Sequence, residues 1–173
     1  MIKVELGSGY HPNMDFNLHI DINPNCPHLE YVRSVDDLKM FTDNTIDEIR
    51  ACDVLEHFSF RHTVDILKEW YRVLKPNGKI FIQTPNAKLL AERWLKNDLP
   101  IMEDMPIDYS ASYWIMGGQD DGNFARSGDD FRWNAHYVMF SPESIKFYLE
   151  HAGFKSSDIK SDGGSNMLIW AVK

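Results

Sequence analysis

Glu5-Leu6-Gly7-Ser8-Gly9 closes an apolar run, Met1 to Leu6, with two glycines and an acid two places before the first. The pattern reads as a buried strand running into a tight loop, where absent side chains let a ligand lie against the backbone. The same Gly-x-Gly also serves an ordinary strand-to-loop turn. A dinucleotide pyrophosphate site would need a third glycine at position 12 to open a helix, and Pro12 stands there. Asp21 lies in a second short run, Leu18 to Ile22, ahead of the turn residues Asn23 and Pro24. Two carboxylate oxygens suit a vicinal diol, although an acid at a strand end also forms turns. His57 and His136 are the candidates for moving a proton, because imidazole titrates near neutral pH. For each, a hydrogen-bonded structural role is the alternative.

These residues need elements to hold them. The run from Leu18 with Asp21 at its tip, Leu29–Arg33 and Glu48–Cys52 read as further short strands. Only eight residues separate Gly9 from Leu18, and they include Pro12 and Asn13, so the first crossover is a loop or a single turn. The clearest helix is Arg61–Lys75, with Val64, Leu67, Trp70, Tyr71 and Leu74 as one apolar stripe facing the core. Pro76 ends it, and Asn77-Gly78 turns the chain into a strand over Lys79–Thr84. Ala87–Leu95 reads as a helix. Ser141-Pro142-Glu143 starts another, with serine as the N-cap and proline at the first helical position, and Gly153 stops it. Phe154–Ile159 and Asn166–Val172 read as the last two strands.

Set side by side, these segments resemble the class I S-adenosylmethionine (SAM)-dependent methyltransferases. Glu5-x-Gly7-x-Gly9 resembles that family's first motif, and Asp43 to His57 resembles its turn into a fourth strand and a V-L-E-H segment. Glu69 to Asn86 resembles its post-motif segment E-x-x-R-V-L-K-P-G-G almost residue for residue. Together the resemblance covers residues 2–86, and 141–172 in outline. It implies an α/β Rossmann-like fold: a mostly parallel central sheet, a C-terminal antiparallel hairpin and, in this chain, a shortened first crossover. It implies SAM as cofactor and S-adenosylhomocysteine as product. Gly7, Ser8 and Gly9 would receive the methionine and ribose, Glu5 would brace the loop and face the methionine ammonium, and Asp21 beside Ile22 would take the ribose hydroxyls. Asp36, Asp37 or Ser34 would reach the adenine, though Asp36 is equally an N-cap on a short turn. Asp53, Val54 and His57 would lie by the sulfonium. Catalysis falls to His136 as general base, with His57 second. The V-L-E-H and R-W-N-A-H-Y segments resemble small, type 11-like methyltransferases associated with bacterial glycans, which implies a sugar or other small-molecule acceptor, methylated at oxygen. A non-catalytic SAM- or nucleoside-binding protein is the rival reading, and a short nicotinamide oxidoreductase a second, opposed by Pro12.

Composition bounds the rest. At 173 residues with 43% apolar content, residues 1–173 are expected to form a single domain with a real core. Net charge is −8, concentrated between Asn97 and Glu143, where nine acids face only Arg126 and Arg132. No basic stripe follows a phosphate backbone, so nucleic acid is not an expected partner. No apolar run reaches a membrane span and no signal-like segment is read, so a cytoplasmic protein is expected. Cys26 and Cys52 form neither a disulfide framework nor a zinc motif, and no metal-ligand set is read elsewhere. Residues 97–140 read as an irregular insertion over the acceptor side, with Tyr109, Tyr113, Trp114, Phe124, Phe131, Trp133 and Tyr137. Those aromatics either meet a sugar face, or pin the loop, or make a dimer contact. The short first crossover leaves sheet surface that a second subunit would cover, and a homodimer is expected on that ground.

Overall fold

A computed structural model of the protein describes residues 1–99, 105–118 and 134–173. Among them, seven strands form one sheet: β1 (Lys3–Leu6), β2 (Leu18–Asp21), β3 (Tyr31–Val32), β4 (Ile46–Cys52), β5 (Leu74–Pro85), β6 (Ser156–Ser161) and β7 (Asn166–Val172). Their order is β3-β2-β1-β4-β5-β7-β6. The first five run parallel, and β7 pairs antiparallel with both β5 and β6. This is the Rossmann-like arrangement with its C-terminal hairpin. Because β1 sits between β2 and β4, strand order reverses at β1, and open parallel sheets bind ligands outside the carboxyl ends of strands at such a point. No helix occurs between β1 and β2: the crossover is made of turns, closed by the Asn13 carbonyl accepting from Phe16 N–H at 3.0 Å. No helix of the described residues is long and apolar enough to cross a membrane.

The core forms where strand side chains meet α1 (Thr63–Val73) and α4 (Pro142–Ala152). Val4, Leu6, Ile20, Ile49, Ile80 and Ile82 pack in one cluster with Ile66, Leu67, Trp70, Val73, Ile145 and Leu149. Trp70 is wholly buried and donates its indole N–H to the Val35 carbonyl at 2.8 Å, which fixes the loop after β3 to α1. The buried face of α1 is Thr63, Ile66, Leu67, Trp70 and Val73. It is rotated from the expected stripe: Val64 is only half-buried, and Tyr71 turns toward Gly153 and stacks edge-on against Phe154 at 5.2 Å. The helix also ends earlier than expected, at Val73. Lys75 precedes a proline and disfavours helical geometry, so Leu74 already pairs with Ile46 as strand. Lys75–Gly78 then bulge out before Lys79 rejoins opposite Glu48, with Asn77 at φ 64°.

Residues 97–140 are not wholly irregular. A helix, α3 (Ile107–Met116), lies among them and packs on α2 (Ala87–Leu95) through Leu90, Leu99 and Ala111. Its apolar and aromatic residues are spread round the whole circumference, so no 3.6-residue stripe marks it in the sequence. Phe124, Phe131 and Trp133 of the aromatic set lie outside the described residues. The N-cap and stop of α4 are as expected, Ser141 accepting from Ser144 N–H and Gly153 taking φ 109°, and Ser144 returns the bond as a capping box. The last hairpin starts two residues later than expected, at Ser156.

Candidate functional site

Four chain segments leave the carboxyl ends of β1 to β4 and enclose a cavity of about 400 Å3. Gly7 and Gly9 come from the first, Asp21 and Ile22 from the second, Ser34 and Val35 from the third, and Asp53, Val54 and His57 from the fourth. Tyr10, Asn23, Cys26, Phe58 and Asn134 complete the wall. Gly7, Gly9, Asp21, Ile22, Ser34, Asp53, Val54 and His57, eight of the expected site residues, therefore share one cavity.

The glycine loop is held by close approach. Gly7 has φ 67°, and a side-chain Cβ there would stand 2.2 Å from Val54 Cγ2. Its N–H donates to the Ile20 carbonyl at 2.8 Å, so the loop is pinned to β2. Gly7→Ala is expected to cost about 1–3 kcal/mol through overpacking and left-handed strain. Gly9 has φ 57° but nothing within 4 Å of a Cβ, so Gly9→Ala should cost about 1 kcal/mol, from strain alone. Urea midpoints at constant slope distinguish the two.

Asp21 is aimed by both of its neighbours. Its Oδ2 accepts from Gly9 N–H at 2.9 Å and its Oδ1 from Asn23 N–H at 2.8 Å. An ionised carboxylate has about four acceptor positions, so after these two N–H groups and the neighbouring Cys26 thiol it retains accepting capacity for a ligand. Asp53 sits at φ 52°, and its Oδ2 accepts from Gln83 at 2.9 Å. Burial pushes its carboxyl above the usual range.

Four expected contacts fall elsewhere. Glu5 is buried outside the cavity wall, because its carboxylate is already committed: Oε2 accepts from Asn13 N–H at 2.7 Å and lies 3.2 Å from His19 Nδ1, and Oε1 accepts from Arg50. It braces the glycine loop through Asn13, as expected, from a position off the cavity wall. Ser8 is buried with its hydroxyl unpartnered among the described residues, and it too is off the wall. Asp36 is exposed, and Asp37 pairs with Arg33 at 3.0 Å and Lys39 at 3.5 Å. Ser34, the third of the expected adenine candidates, stands at the cavity beside Val35, whose carbonyl is held by the Trp70 bond.

His136 is also off the cavity wall, but it lies close to His57, with ring centroids 5.2 Å apart. Its Nδ1 is 3.2 Å from the Ile115 carbonyl, and His57 Nδ1 is 3.1 Å from the Ala135 carbonyl. Burial, with the neighbouring His57, lowers the His136 pKa to about 4, and burial lowers that of His57. The expectation of a His136 poised near neutrality by surrounding acids is therefore not met: the ring is half-buried, and it is paired with a carbonyl and another ring.

The sequence reading gave Glu56 no role. Glu56 is 1% exposed in the short 3-10 turn Leu55–His57; its Oε2 accepts from Thr84 Oγ1 at 3.0 Å and its Oε1 has no partner among the described residues. Burial pushes its carboxyl up to about 8. Ligand-capable atoms of Glu56, His57 and His136 all lie within 4.8 Å of one another.

A family model described as "Methyltransferase domain" matches residues 14–157. Among curated proteins, the chain is 29% identical over 135 residues to the ubiquinone/menaquinone biosynthesis C-methyltransferase UbiE of Klebsiella pneumoniae (strain 342), covering 75% of this chain and 47% of that protein. The Escherichia coli (strain K12 / DH10B) protein of the same name is 27% identical over the same length and the same shares of the two chains. The chain thus spans about half the length of the curated relatives it matches. Among solved structures, a SAM-dependent methyltransferase of Thermotoga maritima, described as a possible histamine N-methyltransferase, superposes with TM-score 0.66 at 15% identity, covering 99% of this chain and 82% of that one. A SAM-dependent methyltransferase of Archaeoglobus fulgidus gives 0.64 at 16% identity, covering 99% and 85%. At such identities these two structures speak to the fold. With the family model spanning most of its length, the chain belongs to the methyltransferase-domain family and carries its Rossmann-like class I fold.

Proposed function

We propose that the chain is a SAM-dependent methyltransferase acting on a small-molecule acceptor, at an oxygen of a sugar or glycan. The observation that carries the cofactor assignment is Asp21, a carboxylate aimed by two backbone N–H groups at a cavity whose wall is side-chain-free at Gly7 and Gly9. SAM, when bound, supplies an activated methyl group on a sulfonium. The chain's own residues do the rest. Gly7 and Gly9 admit the ligand against the backbone, Asp21 accepts from two vicinal hydroxyls, and Ser34 with Val35 border the base. Asp53, Val54 and His57 border the reacting end, and alignment of the acceptor at near-contact distance accounts for much of the rate.

His57 is the better placed of the two histidines to take an acceptor proton, because it reaches the cavity wall and His136 does not. Its Nδ1 faces a carbonyl, which leaves Nε2 as the acceptor. The curated relatives are named as C-methyltransferases; oxygen is our reading, supported by the carboxylate and histidine surroundings. We further propose that residues 1–173 act as one domain with 97–140 on the acceptor side, in the cytoplasm, where the free thiols Cys26 and Cys52 stay reduced. A homodimer belongs to the same reading, and a monomer on a sizing column at micromolar concentration would exclude it.

The test is calorimetric titration with SAM and S-adenosylhomocysteine, followed by methyl-transfer assays on a panel of sugars and phenols. Micromolar binding with turnover on a hydroxyl supports the reading. Binding without turnover on any acceptor favours a nucleoside-binding role, and no binding of either ligand removes the cofactor assignment.

A further inference from the structure

We propose that Glu56, His57 and His136 form a binding site for a divalent cation of the zinc class. His57 Nδ1 lies 3.1 Å from the Ala135 carbonyl and His136 Nδ1 lies 3.2 Å from the Ile115 carbonyl, and since a carbonyl only accepts, the tautomer with the proton on Nδ1 satisfies both contacts. Both Nε2 atoms then hold lone pairs. Orientation of an imidazole by a second hydrogen bond through its other nitrogen is the usual support of a metal-binding histidine. Glu56 adds a third acceptor: Oε2 is engaged by Thr84, and Oε1 is buried with no partner among the described residues. Each of the three residues offers a ligand atom within 4.8 Å of the other two. One buried carboxylate and two half-buried imidazoles brought together, with Glu56 Oε1 unpartnered among the described residues, form an arrangement that a cation satisfies.

The scaffold fixes the cluster from three directions. Glu56 and His57 are consecutive in the 3-10 turn after β4. His136 is held by its own N–H to the Met116 carbonyl at 2.9 Å, and the next residue, Tyr137, donates to the Glu56 carbonyl at 2.8 Å. Gly117, which a Cβ would bring 2.0 Å from the Asn134 carbonyl oxygen, lets the end of α3 close on this segment.

Two imidazoles and one carboxylate select zinc, cobalt(II), manganese(II) or iron(II) over magnesium and calcium, which take oxygen ligands. Three protein ligands leave a coordination position open, as in catalytic rather than structural zinc sites. His57 is shared with the cavity wall, so the remaining position is completed by water or by an acceptor oxygen, and with the cation on its Nε2 His57 acts as ligand in place of proton acceptor. That last step rests on the methyltransferase reading; cation binding does not.

The full chain, stripped of metal with chelator and dialysed, is titrated with Co2+ alone, without SAM, by visible absorption and calorimetry, then back-titrated with Zn2+. One equivalent of Co2+ is expected at micromolar affinity or better, displaced by one Zn2+. Glu56→Gln and His136→Gln are each expected to weaken binding by roughly tenfold or more, since even outer partners of a metal ligand are worth that much. Imidazole nitrogen chemical shifts of the unmodified protein give a readout that needs no variant: Zn2+ should move the Nε2 signals of two histidines out of seven. No binding at about 100 μM Co2+, unchanged affinity in well-folded variants, or Zn2+ shifts at other histidines would overturn the proposal. The first of these outcomes would leave a proton on Glu56 as the group that reconciles the three acceptors.

Discussion

Asp21→Ala is expected to weaken SAM and S-adenosylhomocysteine binding about ten- to a hundredfold, or roughly 1.5–3 kcal/mol, the size of hydrogen bonds to a charged acceptor. The carboxylate is fixed before any ligand arrives, with Gly9 N–H on Oδ2 and Asn23 N–H on Oδ1. Its remaining acceptor positions are therefore pre-aimed, and little ordering cost is left for the ligand to offset. The same two bonds mean that alanine also releases the Gly9 end of the loop, so part of the loss would be indirect. Asp21→Asn separates the contributions. The amide keeps one acceptor oxygen for one of the two backbone N–H groups, but it offers a donor where the second hydroxyl needs an acceptor. Asparagine should therefore retain most of the stability and still lose most of the affinity. Urea midpoints measure the first quantity and calorimetry the second. Asparagine binding SAM as tightly as the wild type would remove Asp21 from the ribose.

How much of this was legible in the sequence depends on whether a residue's neighbours are local. The helix α2, the Ser141 N-cap and Gly153 stop of α4 and the helix-free crossover between β1 and β2 rest on residues within a few positions of one another, and each matches its expectation. The cavity walls at Gly7, Gly9, Asp21 and Asp53–His57 were legible because strand ends of a parallel sheet converge by topology alone. What escaped depends on distant partners. Val35 is held by the Trp70 indole N–H, which donates to its carbonyl from 35 residues away, and beside it Ser34, one of the three expected candidates, borders the cavity while Asp36 and Asp37 do not. His136 looked like a base among acids, yet its pKa is governed by burial and by His57, which is 79 positions away in the chain. Glu56 escaped for a simpler reason: nothing in the order of residues says that an acid in V-L-E-H will point inward.

Glu5→Ala is expected to lower stability by about 3–5 kcal/mol, the cost of removing one member of a buried charged group and leaving the others uncompensated. Glu5 pairs across the sheet with His19 on β2 and Arg50 on β4, the residues directly opposite it in both registers. All three side chains therefore stand in one row on one face, and the carboxylate lies between the two basic groups. Alanine strips Arg50 of its acceptor and frees Asn13 N–H, so β1 and the loop after it lose their common anchor. Glu5→Gln keeps the volume and one acceptor oxygen, and about 1–3 kcal/mol is expected from the lost charge-assisted bonds. The two readings of Glu5 diverge in what glutamine does to the ligand. A carboxylate that faces the methionine ammonium would lose affinity in the glutamine variant with little change in stability. A carboxylate that braces residues 8–13 would do the reverse, and the three partners already on Glu5 favour the brace. Urea unfolding and SAM titration of the same glutamine preparation distinguish them: a lower midpoint with near-normal affinity is the expected pair, and an unchanged midpoint with at least tenfold weaker binding would return Glu5 to the ligand.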